Sequence, residues 1–98
     1  MWKSTDLHFA ADHPTAAGHF PANPIIPGAL LLDEVLAAIA DDRALMIRAA
    51  KFLHPVRPGE NLTLSWQFLP TGTVRFECQL AGGEVAVSGT LDLGPMRP

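Results

Sequence analysis

Between Leu62 and Leu93 the chain switches between apolar and polar residues at almost every step, and few folds accommodate that. Apolar residues take every even position from Leu62 through Leu64 and Trp66 to Phe68, with Thr63, Ser65 and Gln67 between them. Val74, Phe76, Cys78 and Leu80 alternate in the same way with Thr73, Arg75, Glu77 and Gln79. A third run sets Val85, Val87, Leu91 and Leu93 against Glu84, Ser88, Thr90 and Asp92. Successive side chains of a strand point to opposite faces, so each run offers one face to a core and one to water. Pro70-Thr71-Gly72 and Gly82-Gly83 separate the runs and are turn residues at hairpin spacing. A three-stranded antiparallel meander is predicted.

Upstream, Ala44–His54 predicts a fourth strand. Leu45 and Ile47 share one parity while Phe52 and His54 share the other, which puts a bulge near Ala49-Ala50. Pro55-Val56-Arg57-Pro58-Gly59 ends it in a turn. Leu7–Ala10 is a candidate first strand. Between these strands the run from Ala29 to Ala40 is rich in the helix formers Leu and Ala, with Pro27-Gly28 just ahead of it. About 12 residues make a helix roughly 18 Å long. Its apolar residues lie all round rather than in a stripe, so it is expected to be buried on most sides. One buried helix with about five strands is an α+β arrangement, an antiparallel sheet curled around one central helix. The 98 residues hold no repeat and no linker, so a single domain over 1–98 is expected, with Gly94–Pro98 a frayed tail.

Composition narrows the functional classes. The net charge of −3 argues against a general nucleic-acid binder. Cys78 is the single cysteine, which excludes an internal disulfide and any thiolate metal knuckle. No apolar run approaches the ~18 residues of a spanning helix. Met1 to Asp6 reaches polar residues too soon for a secretory leader, so a cytoplasmic protein is expected. A charged fraction of only 17% in so short a chain suggests that another subunit covers part of its surface.

Two acids, Asp33 and Glu34, interrupt the apolar helix. Asp33 has Ala29, Leu30, Leu36 and Ala37 as its neighbours three and four positions away. Desolvation among them would favour the protonated carboxyl, which can donate. A carboxylate turned to solvent at a gap in the sheet is the alternative, and Glu34 would then cap a network or face a subunit contact. Just before the helix, Pro21, Pro24 and Pro27 fix φ at intervals of three and stiffen the loop that carries His19. Gly28 has no side chain, so a ligand can approach its N–H in the first helical turn, where the helix dipole favours negative charge. A base, an acid and an oxyanion donor therefore occur within fifteen residues, though a proline-rich docking loop would look much the same.

The stretch His19-Phe-Pro-x-x-Pro-x-x-Pro-Gly28-x-Leu-x-x-Asp33 resembles the active-site motif of the 3-hydroxyacyl-(acyl-carrier-protein) dehydratases, the FabA/FabZ group of the hotdog fold. Lys51-Phe-Leu-x-Pro-Val-x-Pro-Gly59 is similar to these enzymes too. The resemblance implies that His19 abstracts the substrate's α-proton, Asp33 assists loss of the β-hydroxyl, and the Gly28 N–H holds the thioester oxygen. Phe20, Pro27 and Gly28 would line the substrate site. Asp at position 33 is similar to the FabA type, since FabZ enzymes carry Glu. The resemblance also implies a homodimer or higher homo-oligomer with a shared site, a substrate on acyl carrier protein or coenzyme A, and no cofactor. The chain is much shorter than the usual dehydratases, and Ala37 stands where many relatives have a glutamine. Asp33-Glu34 in succession resembles the small dehydratase-like proteins of aryl-polyene gene clusters. An acyl thioesterase, or a non-catalytic acyl-binding dimer, is the alternative on the same fold.

Other candidates are weaker. His8, His13 and His19 with Asp6 and Asp12 match no ligand spacing, so no metal is expected. Arg43, Arg48, Lys51 and Arg57 concentrate positive charge that would suit an acidic carrier protein or a substrate phosphate, or is simply a solvated face. His54, Trp66, Phe76 and Cys78 are expected to be structural.

Overall fold

A computed structural model describes residues 2–9, 25–39 and 43–96. Five strands and one helix follow in the order β1 (Lys3–His8), α1 (Gly28–Ile39), β2 (Arg43–Phe52), β3 (Asn61–Phe68), β4 (Thr73–Leu80) and β5 (Val85–Met96). They form one antiparallel sheet in the spatial order β1-β3-β4-β5-β2. The alternating sequence runs become the central meander. Leu62, Leu64, Val74, Phe76, Cys78, Leu80, Val87 and Leu91 are buried on its inner face. Both hairpins turn through three residues. Leu69 N–H reaches Thr73 C=O and Gly72 N–H reaches Leu69 C=O, with Gly72 at φ 86°. Gly83 repeats this at φ 95° between Leu80 and Glu84. A left-handed residue closing a tight turn favours glycine because a Cβ would strain it.

Three expectations need correction. The first strand begins at Lys3 and ends at His8, earlier than the Leu7–Ala10 segment, because its polar residues pair along β3 without a buried face. The tail is not frayed at Gly94: β5 runs on to Met96, whose backbone pairs with Arg43 of β2. Nor is the helix buried on most sides. Leu31, Val35 and Ile39 are buried, four residues apart, while Ala29, Asp33, Glu34 and Ala37 are exposed. A single layer of five strands covers one face of a cylinder and no more. The predicted bulge in β2 is present between Ile47 and Ala49, one step earlier than expected.

The inner face is dry. Among the described residues no polar or charged side chain is buried. Burial of apolar surface, at roughly 25 cal/mol per Å², is therefore the main force fixing the helix against the sheet. Gly89 of β5 lies in the middle of this packing. A methyl group there would collide with the Ala49 carbonyl oxygen and come within 2.9 Å of the Phe76 ring. Glycine at that position lets β2 and β5 close over a large aromatic side chain.

Candidate active site at the helix start

The segment after β2 fixes the geometry around the first turn of α1. Leu53 and His54 N–H groups both donate to the Ala86 carbonyl of the chain approaching Val87, at 2.8 and 3.2 Å. Three residues on, the Val56 carbonyl accepts from Ile26 N–H at 2.7 Å, which ties the segment to the residues leading into the helix. Gly59 N–H then donates to the Phe9 carbonyl at 2.7 Å. The prolines at 55 and 58 have no N–H to satisfy, so this irregular stretch meets its backbone needs with few partners. Between the helix start and residues 52–56 lies an apolar cavity of about 530 Å³. Ile25, Ile26, Gly28 and Leu31 line one side, and Phe52 to Val56 line the other. A space of that size holds a small organic ligand.

Gly28 is the first residue of the helix. Leu31 N–H donates to Pro27 C=O at 3.1 Å, so the N–H groups of Gly28, Ala29 and Leu30 precede the hydrogen-bonded ladder. No acidic side chain occupies the first turn to compete for them. Donors of this kind at a helix N-terminus suit a developing oxyanion. The reason for glycine here is more specific than open access for a ligand. A methyl group at position 28 would lie 2.9 Å from Cζ and 3.0 Å from Cε1 of Phe52, whose ring covers this face of the turn.

Asp33 does not share the cavity. It is exposed, as is Glu34, and neither lines the space beside Gly28. At about 100° per residue, five residues carry Asp33 some 140° around the helix from Gly28. It therefore projects from the face left bare by the sheet, beside exposed Ala29 and Ala37. The burial among apolar neighbours expected of Asp33 is not found within the chain, where it is exposed.

Of the remaining sequence candidates, His19 and Phe20 lie outside the described residues, and Pro27 is half-buried at the helix start. His8 is hydrogen-bonded through Nδ1 to Asn61 Oδ1 at 2.7 Å. Arg48 faces Asp92 at 3.5 Å on an exposed surface, a contact worth little in water. Lys51 and Arg57 are exposed. Cys78 is fully buried, and burial together with the nearby Glu77 charge pushes its thiol up from 9.0 to about 12, so it is not a nucleophile. Trp66 and Phe76 pack in or against the core, as expected. Sequence reasoning missed Phe52 and His54, which both line the cavity. The signal was there in the apolar Phe52-Leu53 pair at the end of a strand, ahead of a proline turn.

Comparison with known proteins places these features in a family. The ApeI-like model, described as ApeI dehydratase, matches residues 3–90. A 3-hydroxyacyl-(acyl-carrier-protein) dehydratase FabZ of Chlamydia trachomatis is 35% identical over 97 residues, covering 82% of this chain and 63% of that protein. The corresponding FabZ of Wolbachia pipientis subsp. Culex pipiens is 32% identical over 94 residues, covering 82% and 66%. The chain thus spans a little under two thirds of these relatives. Among solved structures, the dehydratase heterocomplex ApeI:P from Xenorhabdus doucetiae superposes with a TM-score of 0.82 at 24% identity, over 96% of this chain and 88% of that one. The (R)-hydratase from A. caviae involved in PHA biosynthesis gives 0.69 at 18% identity, over 96% and 93%. The fold is the hotdog fold.

Proposed function

The chain belongs to the ApeI-like dehydratase family, and on that premise we propose that it catalyses reversible dehydration of a (3R)-3-hydroxyacyl thioester to the trans-2-enoyl thioester. The acyl group would be carried on acyl carrier protein or coenzyme A, in fatty-acid or polyene-type synthesis, in the cytoplasm. His19 takes the α-proton as general base. The electrons move onto the thioester oxygen, which the Gly28 N–H holds as it becomes negative. Asp33 serves as the acid that supplies the proton the departing β-hydroxyl needs. Carbon–oxygen cleavage then releases water and leaves the double bond.

The observation that carries this reading is the opposed placement of Gly28 and Asp33 on one short helix. Gly28 opens onto an apolar cavity, and Asp33 stands exposed on the other side. One chain turns the two to different sides of the helix, and two copies related by a twofold axis would bring Asp33 of each to the cavity of the other. The sheet edges support such pairing. The β1 edge is exposed and largely polar, with Lys3, Asp6 and His8 along it. On the β2 side Met46, Ile47, Phe52 and Leu53 are exposed, which is a poor surface to leave in water.

The purified protein, incubated with 3-hydroxyacyl thioesters of several chain lengths, should lose water from them, read by mass spectrometry. His19→Ala should lower turnover about 10²-fold or more without altering the assembly. Asp33→Asn should do the same; full activity in that variant would transfer the acid role to Glu34. Mixing the two inactive variants should restore part of the activity, since a hybrid dimer keeps one intact site. Release of free acid from saturated thioesters would instead indicate a thioesterase. The Xenorhabdus neighbour is a dehydratase heterocomplex, so a monomer that is inactive alone would point to a second, different chain as the partner.

A further inference from the structure

We propose that Phe52 determines which acyl groups the site accepts, by excluding substrates branched at the carbon next to the thioester. The proposal rests on the dehydratase reading of the Gly28 site and adds a specificity residue to it. Gly28 is the residue whose N–H would hold the thioester oxygen, so C1 and C2 of the substrate lie directly beside it. Phe52 closes that place from the sheet side. The atoms nearest the absent side chain of Gly28 are the far end of the ring, Cζ and Cε1. The contact therefore uses the full reach of the side chain, and leucine or alanine at 52 would leave a gap.

The wall is firmly mounted. Phe52 pairs with Val87 in the sheet, and the next two N–H groups are held by the Ala86 carbonyl. Only rotation of the side chain can move the ring. Yet the residue is 53% exposed, so its bulk is not needed to fill the core. A large aromatic side chain held half-exposed against a glycine, both of them lining one cavity, acts as a steric limit on what reaches that glycine. A methyl branch at C2 adds bulk at the point where that ring stands. In an apolar site one carbon more or less changes kcat/KM by about 10- to 200-fold.

The test compares pantetheine thioesters of 3-hydroxybutyrate and 2-methyl-3-hydroxybutyrate, the latter keeping one α-hydrogen. The parent protein should prefer the unbranched substrate by at least about tenfold. Phe52→Ala should narrow that preference about tenfold, chiefly by lowering KM for the branched substrate. Phe52→Leu should fall between, and Phe52→Tyr should keep the parent ratio. A ratio unchanged in Phe52→Ala and Phe52→Leu, with dehydration intact, overturns the specificity role and leaves the dehydratase reading standing. Calorimetric binding of the butyryl and 2-methylbutyryl thioesters separates the two claims. If the parent turns over neither hydroxyacyl substrate but Phe52→Ala gains affinity for the branched ligand, the wall is real and the dehydratase reading falls. If neither ligand binds any of the proteins, both fall. Thermal melts of the leucine variant, which keeps an apolar contact, guard against a folding defect in the alanine variant.

Discussion

The central meander and the helix start are built to different standards. In β3, β4 and β5 the inward side chains of Leu62, Leu64, Val74, Phe76, Cys78, Val87 and Leu91 are each 1% exposed or less, all covered by the same chain. Around the helix start the cavity lies open between two walls, Phe52 and Leu53 are each 53% exposed, and Asp33 has no covering surface. One region is closed within the chain, whereas the other leaves apolar surface and a cavity open. Each region also holds a glycine against a close neighbour, and the neighbours differ. Gly89 faces a backbone carbonyl, which cannot yield without parting two strands. Gly28 faces the end of a half-exposed ring, which can swing.

The largest difference should appear at Gly89. Alanine there would drive a methyl group into the Ala49 carbonyl oxygen and force β2 away from β5. Overpacking of this kind costs about 1–3 kcal/mol or more, a large share of the stability of so small a domain. Urea denaturation of Gly89→Ala should show a midpoint well below the parent's. An unchanged midpoint would mean that the strands separate freely at the bulge, and the contrast between the two regions would collapse.

The two regions were also unequally legible in the sequence. The meander could be read residue by residue, because a strand with one wet face must alternate and its turns need glycine. Its inner residues and its hairpins fall where the alternation put them. The helix was harder. Leu30, Leu32 and Leu36 have the same apolar character as buried Leu31, so nothing in the composition shows which face the sheet leaves bare. The helix buries Leu31, Val35 and Ile39 and leaves Ala29 and Ala37 exposed, a division its apolar sequence does not mark. The roles of Gly28 and Asp33 came from their resemblance to a motif, and the structure adds that they point apart. The apolar Phe52-Leu53 pair hinted at an open surface, but the contact of Phe52 with Gly28 joins residues twenty-four positions apart, which no local pattern encodes.

Cys78 sharpens the account of the closed region by pH. Its folded thiol is raised to about 12 from 9.0, first by burial and then by Glu77. In the unfolded chain the thiol loses its proton near pH 9, whereas the folded chain retains it. The stabilisation is therefore fully present below pH 9 and is lost as pH rises from 9 toward 12, with a slope of up to about 1.4 kcal/mol per pH unit. Cys78→Ala should flatten that part of a stability–pH curve. Thiol reagents at pH 8 should label the parent only as fast as it unfolds globally, and rapid labelling would show that the meander opens locally.

The smallest effect on stability is expected at Gly28. Its backbone is not in the left-handed region, so alanine is not strained by φ. In a helix alanine is favoured over glycine by up to about 1 kcal/mol. Against this gain stands the cost of displacing the Phe52 ring, whose far end lies 2.9 Å from the new methyl group. The two terms oppose each other, so the melting temperature of Gly28→Ala should stay within a few degrees of the parent's, since 1 kcal/mol shifts a domain of this size by about 4–8 °C. Dehydration should nonetheless fall, because a methyl group and a displaced ring crowd the donor that would hold the thioester oxygen. Lost stability without lost activity would make Gly28 a packing glycine like Gly89. Lost activity at preserved stability is what a region left open for a substrate requires.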